Sequence, residues 1–230
     1  DWKSANVTPI FKKGGKGNPD NYRQISLTSI PGKILESIIK DQVIDHLSMN
    51  NLIHDTQHGF MKNKSCTTNL LEFLEIVTNS VDKGQCFDIV YLDFCKAFDK
   101  VPTERLLISL KAHGIDGFLL TWLENWLRNR RQRVVLNGLF STWKAVLSGV
   151  PQGSILGPLL FLIFINCFDN VALLITILRK FADDAKLGQI IRDETDRQRL
   201  QECLNNLSEW AVTWGMKFNV KKCSVLHLGY

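Results

Sequence analysis

Residues 87–94 are a nearly continuous apolar and aromatic run of strand length, interrupted by Asp88 and ending around Asp93. Strands covered on both faces read this way, so the run predicts a central buried strand. Residues 175–181 read as a second strand and residues 186–191 as its partner, with Asp183 and Asp184 at the turn between them. A sheet that sets these strands side by side gathers Asp93, Asp183 and Asp184 at one edge. Three like charges that close together need a cation. Hard divalent ions such as Mg2+ are bound by carboxylates together with substrate phosphates, and two of them can clamp the attacking and leaving oxygens of a phosphoryl transfer. Adjacent aspartates at a turn are, taken alone, more often solvated surface; the apolar strands around this pair favour the metal reading.

Helices are expected around these strands. Residues 32–49 carry Leu35, Ile38, Ile39, Val43 and Leu47 at helical spacing, and residues 65–81 carry Leu70, Phe73, Leu74, Val77 and Val81. Two short helices follow the first strand, one over residues 105–113 closed by Gly114, the other with Phe118, Trp122 and Trp126 one turn apart. Residues 134–136 and 142–147 read as a hairpin around Asn137 and Gly138, a favoured two-residue turn. An apolar helix is expected over about residues 155–168. A long one, capped by Thr195, carries Leu200, Leu204, Leu207, Ala211 and Trp214 to Gly215, before one or two closing strands in 217–228. This order predicts an α+β fold with a mainly antiparallel sheet.

Composition sets the outer bounds. With 230 residues and 45% hydrophobic content, the chain can bury a full core as one large domain or two small ones. Lys and Arg outnumber Asp and Glu by 28 to 23, a net charge of +5 that permits a nucleic-acid partner without implying one. The six cysteines, at 66, 86, 95, 167, 203 and 223, contain no C-x-x-C pair, which points away from a zinc ribbon or disulfide framework and toward an intracellular, reducing compartment. The uncharged stretch 146–168 is interrupted by Pro151, Gln152, Ser154, Pro158 and Asn166, so no membrane span is expected. Asp1 is not an initiator Met and no signal peptide opens the chain, so the sequence reads as an internal piece of something longer.

Three further clusters could bind a ligand. Residues 148–158 hold two prolines and three glycines, a backbone able to pass beneath a planar ligand, with Gln152 able both to donate and to accept; an ordinary loop before a helix is the alternative. Lys12, Lys13 and Lys16 alternate with Gly14, Gly15 and Gly17 ahead of Arg23, in the only strongly loop-like segment, residues 12–21. Cations on flexible backbone suit a triphosphate. Arg128, Arg130, Arg131 and Arg133 could track a phosphate backbone. For both basic clusters solvated surface stands as the alternative. His54 and His58 are four apart but lack a third ligand, which disfavours zinc.

Three segments resemble, in the right order, the polymerase motifs of non-LTR (LINE-type) reverse transcriptases, most of all the jockey-like group. They are Tyr91-Leu92-Asp93-Phe94-Cys95-Lys96-Ala97-Phe98-Asp99-Lys100-Val101-Pro102, the run 148–161, and Phe181-Ala182-Asp183-Asp184. The likeness extends to Trp2-Lys3-Ser4-Ala5-Asn6, Asn21-Tyr22-Arg23-Gln24-Ile25-Ser26-Leu27, Gln57-His58-Gly59-Phe60, residues 65–71, Lys217-Phe218-Asn219 with Lys222, and His227-Leu228-Gly229, and so covers essentially the whole chain.

The resemblance implies a right-hand polymerase with fingers in residues 1–85 and part of 119–147, a palm in 86–118 and 148–230, helices flanking a mainly antiparallel palm sheet, and the thumb absent. It implies an RNA-directed DNA polymerase in which Asp93, Asp183 and Asp184 hold two Mg2+ (or Mn2+) ions, Asp184 less directly. Arg23 and Lys13 would hold the triphosphate, Phe98 would gate the sugar, and Gln152 and Gly153 would lie against the nascent base pair. Lys222 would protonate the leaving pyrophosphate, and the turn His227-Leu228-Gly229 would press on the primer. An RNA template, a DNA primer and dNTPs are the implied partners. The rest of a parent polyprotein, with endonuclease and thumb, and a ribonucleoprotein in nucleus and cytoplasm complete the expectation.

The chain also departs from the family pattern at Gln24, Cys95, Thr103, Asn166-Cys167-Phe168 and Ala185, where Pro, Ser, His, Asn-Asp-Leu and Thr are usual. No metal ligand is lost. Such drift motivates a competing reading, a decayed or co-opted nucleic-acid-binding remnant, which metal-dependent primer extension would separate from a polymerase.

Overall fold

The computed structural model describes residues 2–172 and 175–229. From the amino end the elements are β1 (Ser4–Phe11), β2 (Tyr22–Leu27), α1 (Ile30–Met49), α2 (Cys66–Asp82), β3 (Cys86–Leu92), α3 (Ala97–Lys100), α4 (Thr103–Ala112) and α5 (Gly117–Leu127). They continue with β4 (Arg130–Leu136), β5 (Leu139–Phe140), β6 (Lys144–Val146), α6 (Leu156–Ile165), β7 (Ile177–Phe181), β8 (Asp184–Ile191), α7 (Glu194–Thr213) and β9 (Ser224–Leu228). Two compact units result: Asp1–Asn50 with Phe98–Ile163, and Asn51–Ala97 with Phe164–Tyr230.

The first unit holds a five-stranded sheet in the order β2-β1-β4-β5, with β6 also on β4. Only the β1–β4 pairing is parallel. The hairpin expected at Asn137 and Gly138 forms, both residues taking positive φ (50° and 79°) as a tight turn of this kind requires. β1 and β2, which the sequence pattern did not disclose, pair antiparallel from Asn6–Leu27 to Phe11–Tyr22. Pro31 opens α1 after the Ser29 cap, which accepts from Gly32 N. Its buried face is Glu36, Val43 and Leu47, while Ile38, placed on that face by its spacing, is exposed. Glu36 explains the difference: its carboxylate accepts from Trp126 Nε1 (3.2 Å), Ile155 N (2.8 Å) and Leu156 N (3.3 Å), so it joins α5 to the start of α6.

The second unit is built on an antiparallel sheet in the order β7-β8-β3-β9. β3 is interior to it and largely buried, as its apolar run predicts. Ile89 lies opposite Gly188, and a side chain at 188 would strike the Phe87 ring, 2.5 Å from where its Cβ would stand. α2 packs on this sheet through Phe73 and Val77 against Phe87, Ile89 and Ile177. Ser65 and Thr68 close a reciprocal capping box at its start. Phe94, Phe164, Phe168, Trp210, Trp214 and Phe218 form a second, aromatic packing cluster under α7. The cap of α7 is Asp193, which accepts from Asp196 N, and not Thr195: a carboxylate at the first free N–H groups starts the helix earlier. α2 thus packs with β3 and β7 inside the second unit.

Candidate active site

Phe181 pairs with Asp184, so Ala182 and Asp183 form the tight turn between β7 and β8. Ala182 takes the left-handed conformation, φ +55°, uncommon for a residue other than glycine. On the other neighbour of β8 the last registered pair is Leu92–Ala185, and Asp93 follows one residue beyond it. Strand register therefore delivers Asp93, Asp183 and Asp184 to one end of the sheet. Burial pushes the Asp183 carboxyl above the usual range, reinforced by repulsion from Asp184 and Asp93, against its own backbone hydrogen bond and Lys222. Asp184 is raised likewise, by burial and then by Asp93.

A second segment closes on Asp93. Cys95 N donates to Lys217 O (2.8 Å), Asn219 N to Asp93 O (2.7 Å), and Phe94 stacks on Phe218 with ring centroids 4.6 Å apart. This pairing carries Asn219 Nδ2 to 3.2 Å and Lys222 Nζ to 2.6 Å from Asp93 Oδ2. The bond to Asp93 holds the Lys222 ammonium above its ordinary value despite some desolvation. No sequence pattern singles out Asn219; its place beside Asp93 comes from the backbone pairing of residues 217–219 with residues 93–95.

Among the described residues no three His, Cys, Asp or Glu side chains cage an ion by themselves. A hard divalent ion does not require such a cage, since Mg2+ keeps waters and takes substrate phosphates beside one or two carboxylates. The donors here are carboxylate oxygens, and a cation already sits on one of them, the Lys222 ammonium. The residues fit the ion.

The turn expected at residues 227–229 is different. His227 and Leu228 lie inside β9, in register with Asp88 and Phe87, and His227 Nδ1 is 2.6 Å from Asp88 Oδ1. Gly229 follows at φ +78°, against the Gln85 and Cys86 backbone.

The other expected site residues belong to the first unit. Arg23, opposite Ile10 on β2, is exposed, as is Lys13 in the connection from β1. That connection is folded: Lys12 N donates to Asn21 O, Asn21 Nδ2 to Gly15 O (2.8 Å) and Tyr22 Oη to Lys16 O (2.8 Å). Ser26 N donates to Gln152 O (2.7 Å), and a Cβ on Gly153 would stand 2.4 Å from Ser26 O, so only glycine fits there, at φ +118°. Gly149 N donates to Val101 O and Val150 N to Phe98 O, which straps residues 148–150 to the turn after α3. Phe98 is partly buried and stacks on Phe161 at 4.5 Å.

The arginine cluster separates by environment. Arg130 is 3% exposed, lies over Trp126 and donates to Trp126 O (3.1 Å), and its guanidinium is lowered by burial against the pull of Glu36. Buried this way, Arg130 serves the packing against α5, unlike the phosphate-tracking role expected for the cluster. Arg128 is engaged by Glu104 and Glu124. Arg131 and Arg133 stack over Trp143, and Arg133 also over Phe140.

The sequence profile described as reverse transcriptase (RNA-dependent DNA polymerase) matches residues 10–229. The chain belongs to the reverse transcriptase family. The resemblance read from the motifs therefore holds, and mobile-element proteins are among this reverse transcriptase's relatives. It is 28% identical to the probable RNA-directed DNA polymerase from transposon BS of Drosophila melanogaster, over 96% of this chain and 25% of that protein. It is 29% identical to the RNA-directed DNA polymerase from mobile element jockey of Drosophila funebris, with the same coverage of 96% and 25%. The chain thus spans about a quarter of the length of these relatives. Its fold is similar to that of apo telomerase from Candida tropicalis truncated from the C-terminal domain, with a TM-score of 0.71 at 12% identity over 98% of this chain and 50% of that one. Among the described residues no helix is long and apolar enough to cross a membrane.

Proposed function

We propose that this reverse transcriptase domain is an RNA-directed DNA polymerase that joins a dNTP to a primer 3′-hydroxyl on an RNA template. The observation that carries the reading is the convergence of Asp93, Asp183 and Asp184 at one end of the β7-β8-β3-β9 sheet. Two Mg2+ (or Mn2+) ions held by Asp93 and Asp183, with Asp184 less direct, would activate the primer hydroxyl and neutralise charge on the triphosphate. The 3′-hydroxyl gives up its proton to solvent, its oxygen bonds to the α-phosphorus, the α–β bridging P–O bond breaks, and the pyrophosphate leaves with that electron pair. Lys222 Nζ, 2.6 Å from Asp93 Oδ2, would give it a proton.

The remaining site residues complete the reading. Arg23 and Lys13 bind the triphosphate, Gln152 and Gly153 lie against the new base pair, and Phe98 excludes the 2′-hydroxyl. Arg131 and Arg133 follow a phosphate backbone, while His227, Leu228 and Gly229 approach the primer as a strand end. The fingers would take residues 1–85 with part of 119–147, and the palm residues 86–118 and 148–230. The parent protein would supply further domains and act within the cell as a ribonucleoprotein.

Primer extension on an RNA template with Mg2+, wild type beside Asp183→Asn, tests the proposal. Extension by wild type and none by the variant is expected. A wild type that binds primer-template without extending it is the outcome of the remnant reading.

A further inference from the structure

We infer that Gln57, together with Gly59, is a positioning residue for the turn that carries Asp183. The segment 56–59 lies alongside the end of β7: Lys180 N donates to Thr56 O (2.8 Å) and His58 N to Lys180 O (2.9 Å), a short parallel bridge centred on Gln57 and Lys180. Gln57 is 1% exposed, and its side chain is directed at the turn. Its Oε1 accepts from Ala182 N (2.9 Å) and Gly59 N (2.8 Å), and its Nε2 reaches Ala182 O at 3.4 Å. One amide thus ties residues 57–59 to the residue immediately before Asp183.

The contact is closer than any other residue at 59 would allow. A Cβ there would stand 2.3 Å from Ala182 N and 3.0 Å from Ala182 Cα. Ala182 holds a left-handed φ of +55°, which persists only where the surroundings over-determine it. The Gln57 amide is such a determinant, because it satisfies the one Ala182 N–H that the turn directs into the protein.

The strap is anchored at its other end. Asp169 accepts from both Lys180 Nζ and Thr56 Oγ1, in a buried pair that fixes β7 and residue 56 to one carboxylate. Asn69 Nδ2 adds a bond to Lys180 O (3.1 Å). The orientation of the metal-bearing turn is therefore set by residues more than a hundred positions earlier in the chain.

This inference rests on the polymerase reading for its consequence, though not for its geometry, and the test separates the two. Amide hydrogen exchange at Ala182, with Leu207 in α7 as an internal reference, reads the hold on the turn. Primer extension at varied Mg2+ and dNTP reads its effect. In Gln57→Leu, exchange at Ala182 should accelerate about tenfold or more while Leu207 stays unchanged, since only the local bond is lost. The turnover number should fall roughly 100-fold from misplacement of the carboxylate, with KM for dNTP within about threefold and a higher half-saturating Mg2+. Gln57→Glu keeps the accepting oxygen and should keep Ala182 protected. Equal protection at Ala182 in wild type and Gln57→Leu would overturn the inference, as would fast exchange without any fall in turnover. If Gln57→Leu does not fold, loss of Ala182 protection in a folded Gln57→Glu overturns it, and retention supports it. A wild type that never extends a primer would fail the polymerase reading alone, leaving exchange at Ala182 to decide on Gln57.

Discussion

Lys222 Nζ lies 2.6 Å from Asp93 Oδ2, and Asn219 Nδ2 donates to the same oxygen. The ammonium therefore shares the carboxylate that a metal would use, and it is held charged by that contact. Lys222→Met should act in two directions. Removing a competing cation should lower the Mg2+ needed for half-maximal extension, while loss of the proton donor should lower the turnover number by about 100-fold or more. Titration of Mg2+ in a steady-state extension assay checks both. An unchanged turnover number would remove Lys222 from proton transfer and leave it as a charge neighbour of Asp93.

Asp183→Asn should abolish extension with primer-template affinity nearly unchanged, if the carboxylate serves a metal and not the duplex. The same variant should stabilise the metal-free protein at neutral pH. Burial and the neighbouring Asp184 and Asp93 raise the folded-state Asp183 above its unfolded value. The folded chain thus holds this proton more tightly, a contribution fully present below the unfolded value and lost as pH rises through the raised one. Asn carries no such penalty, so the difference in melting temperature should grow from little in acid to a clear gain at pH 7, measured in chelator. A flat difference across that range would contradict the electrostatic account.

Arg131 and Arg133 differ from Arg130 in what surrounds them, and the difference is testable. Changing Arg131 and Arg133 to Ala should weaken binding to every primer-template sequence and lower the slope of log affinity against log salt by about 2 if each meets one phosphate. Arg130→Ala should leave that slope alone. It should instead cost about 2 kcal/mol of folding stability, from the bond to Trp126 O and the stacking over its ring. Denaturant titration and salt-dependent binding on the same three proteins distinguish the roles.

The parts of the site legible in the sequence were those written in local pattern. The apolar run to Asp93 and the strand pair around Asp183 and Asp184 each sit within a few residues, and strand periodicity carried them to the correct end of one sheet. What the pattern could not show depends on partners far along the chain. Arg130 reads as one of four surface arginines until the burial against Trp126 and Glu36 is known. The Gln57 strap and the Asn219 bond to Asp93 bridge more than a hundred residues. β1 and β2 were hidden for another reason: with only Ala5, Val7 and Ser26 buried, their alternation is too weak to stand out from the glycine-rich connection beside them.

Phe98 bears on the choice of sugar. Phe98 is only partly buried; one side of its ring is stacked on the fully buried Phe161, at 4.5 Å and 17° between planes, and its carbonyl receives Val150 N. A ring fixed by stacking on one side and by its own backbone below is a rigid wall, suited to rejecting a hydroxyl by exclusion. If it faces the ribose, Phe98→Ala should admit ribonucleotides, with selectivity for deoxynucleotides reduced roughly 100-fold, the scale of a few kcal/mol in pocket discrimination. Phe98→Tyr should keep the selectivity of the parent. The same stacking makes Phe98 a packing residue, so the Ala variant should also lose about 3 kcal/mol of stability from its contact with Phe161. Stability loss alone lowers the use of both substrates in proportion and cannot change their ratio. The ratio of kcat/KM for deoxy and ribo substrates, measured on the folded fraction well below its melting temperature, therefore isolates the gate, and a ratio equal to wild type would leave Phe98 with its packing role only.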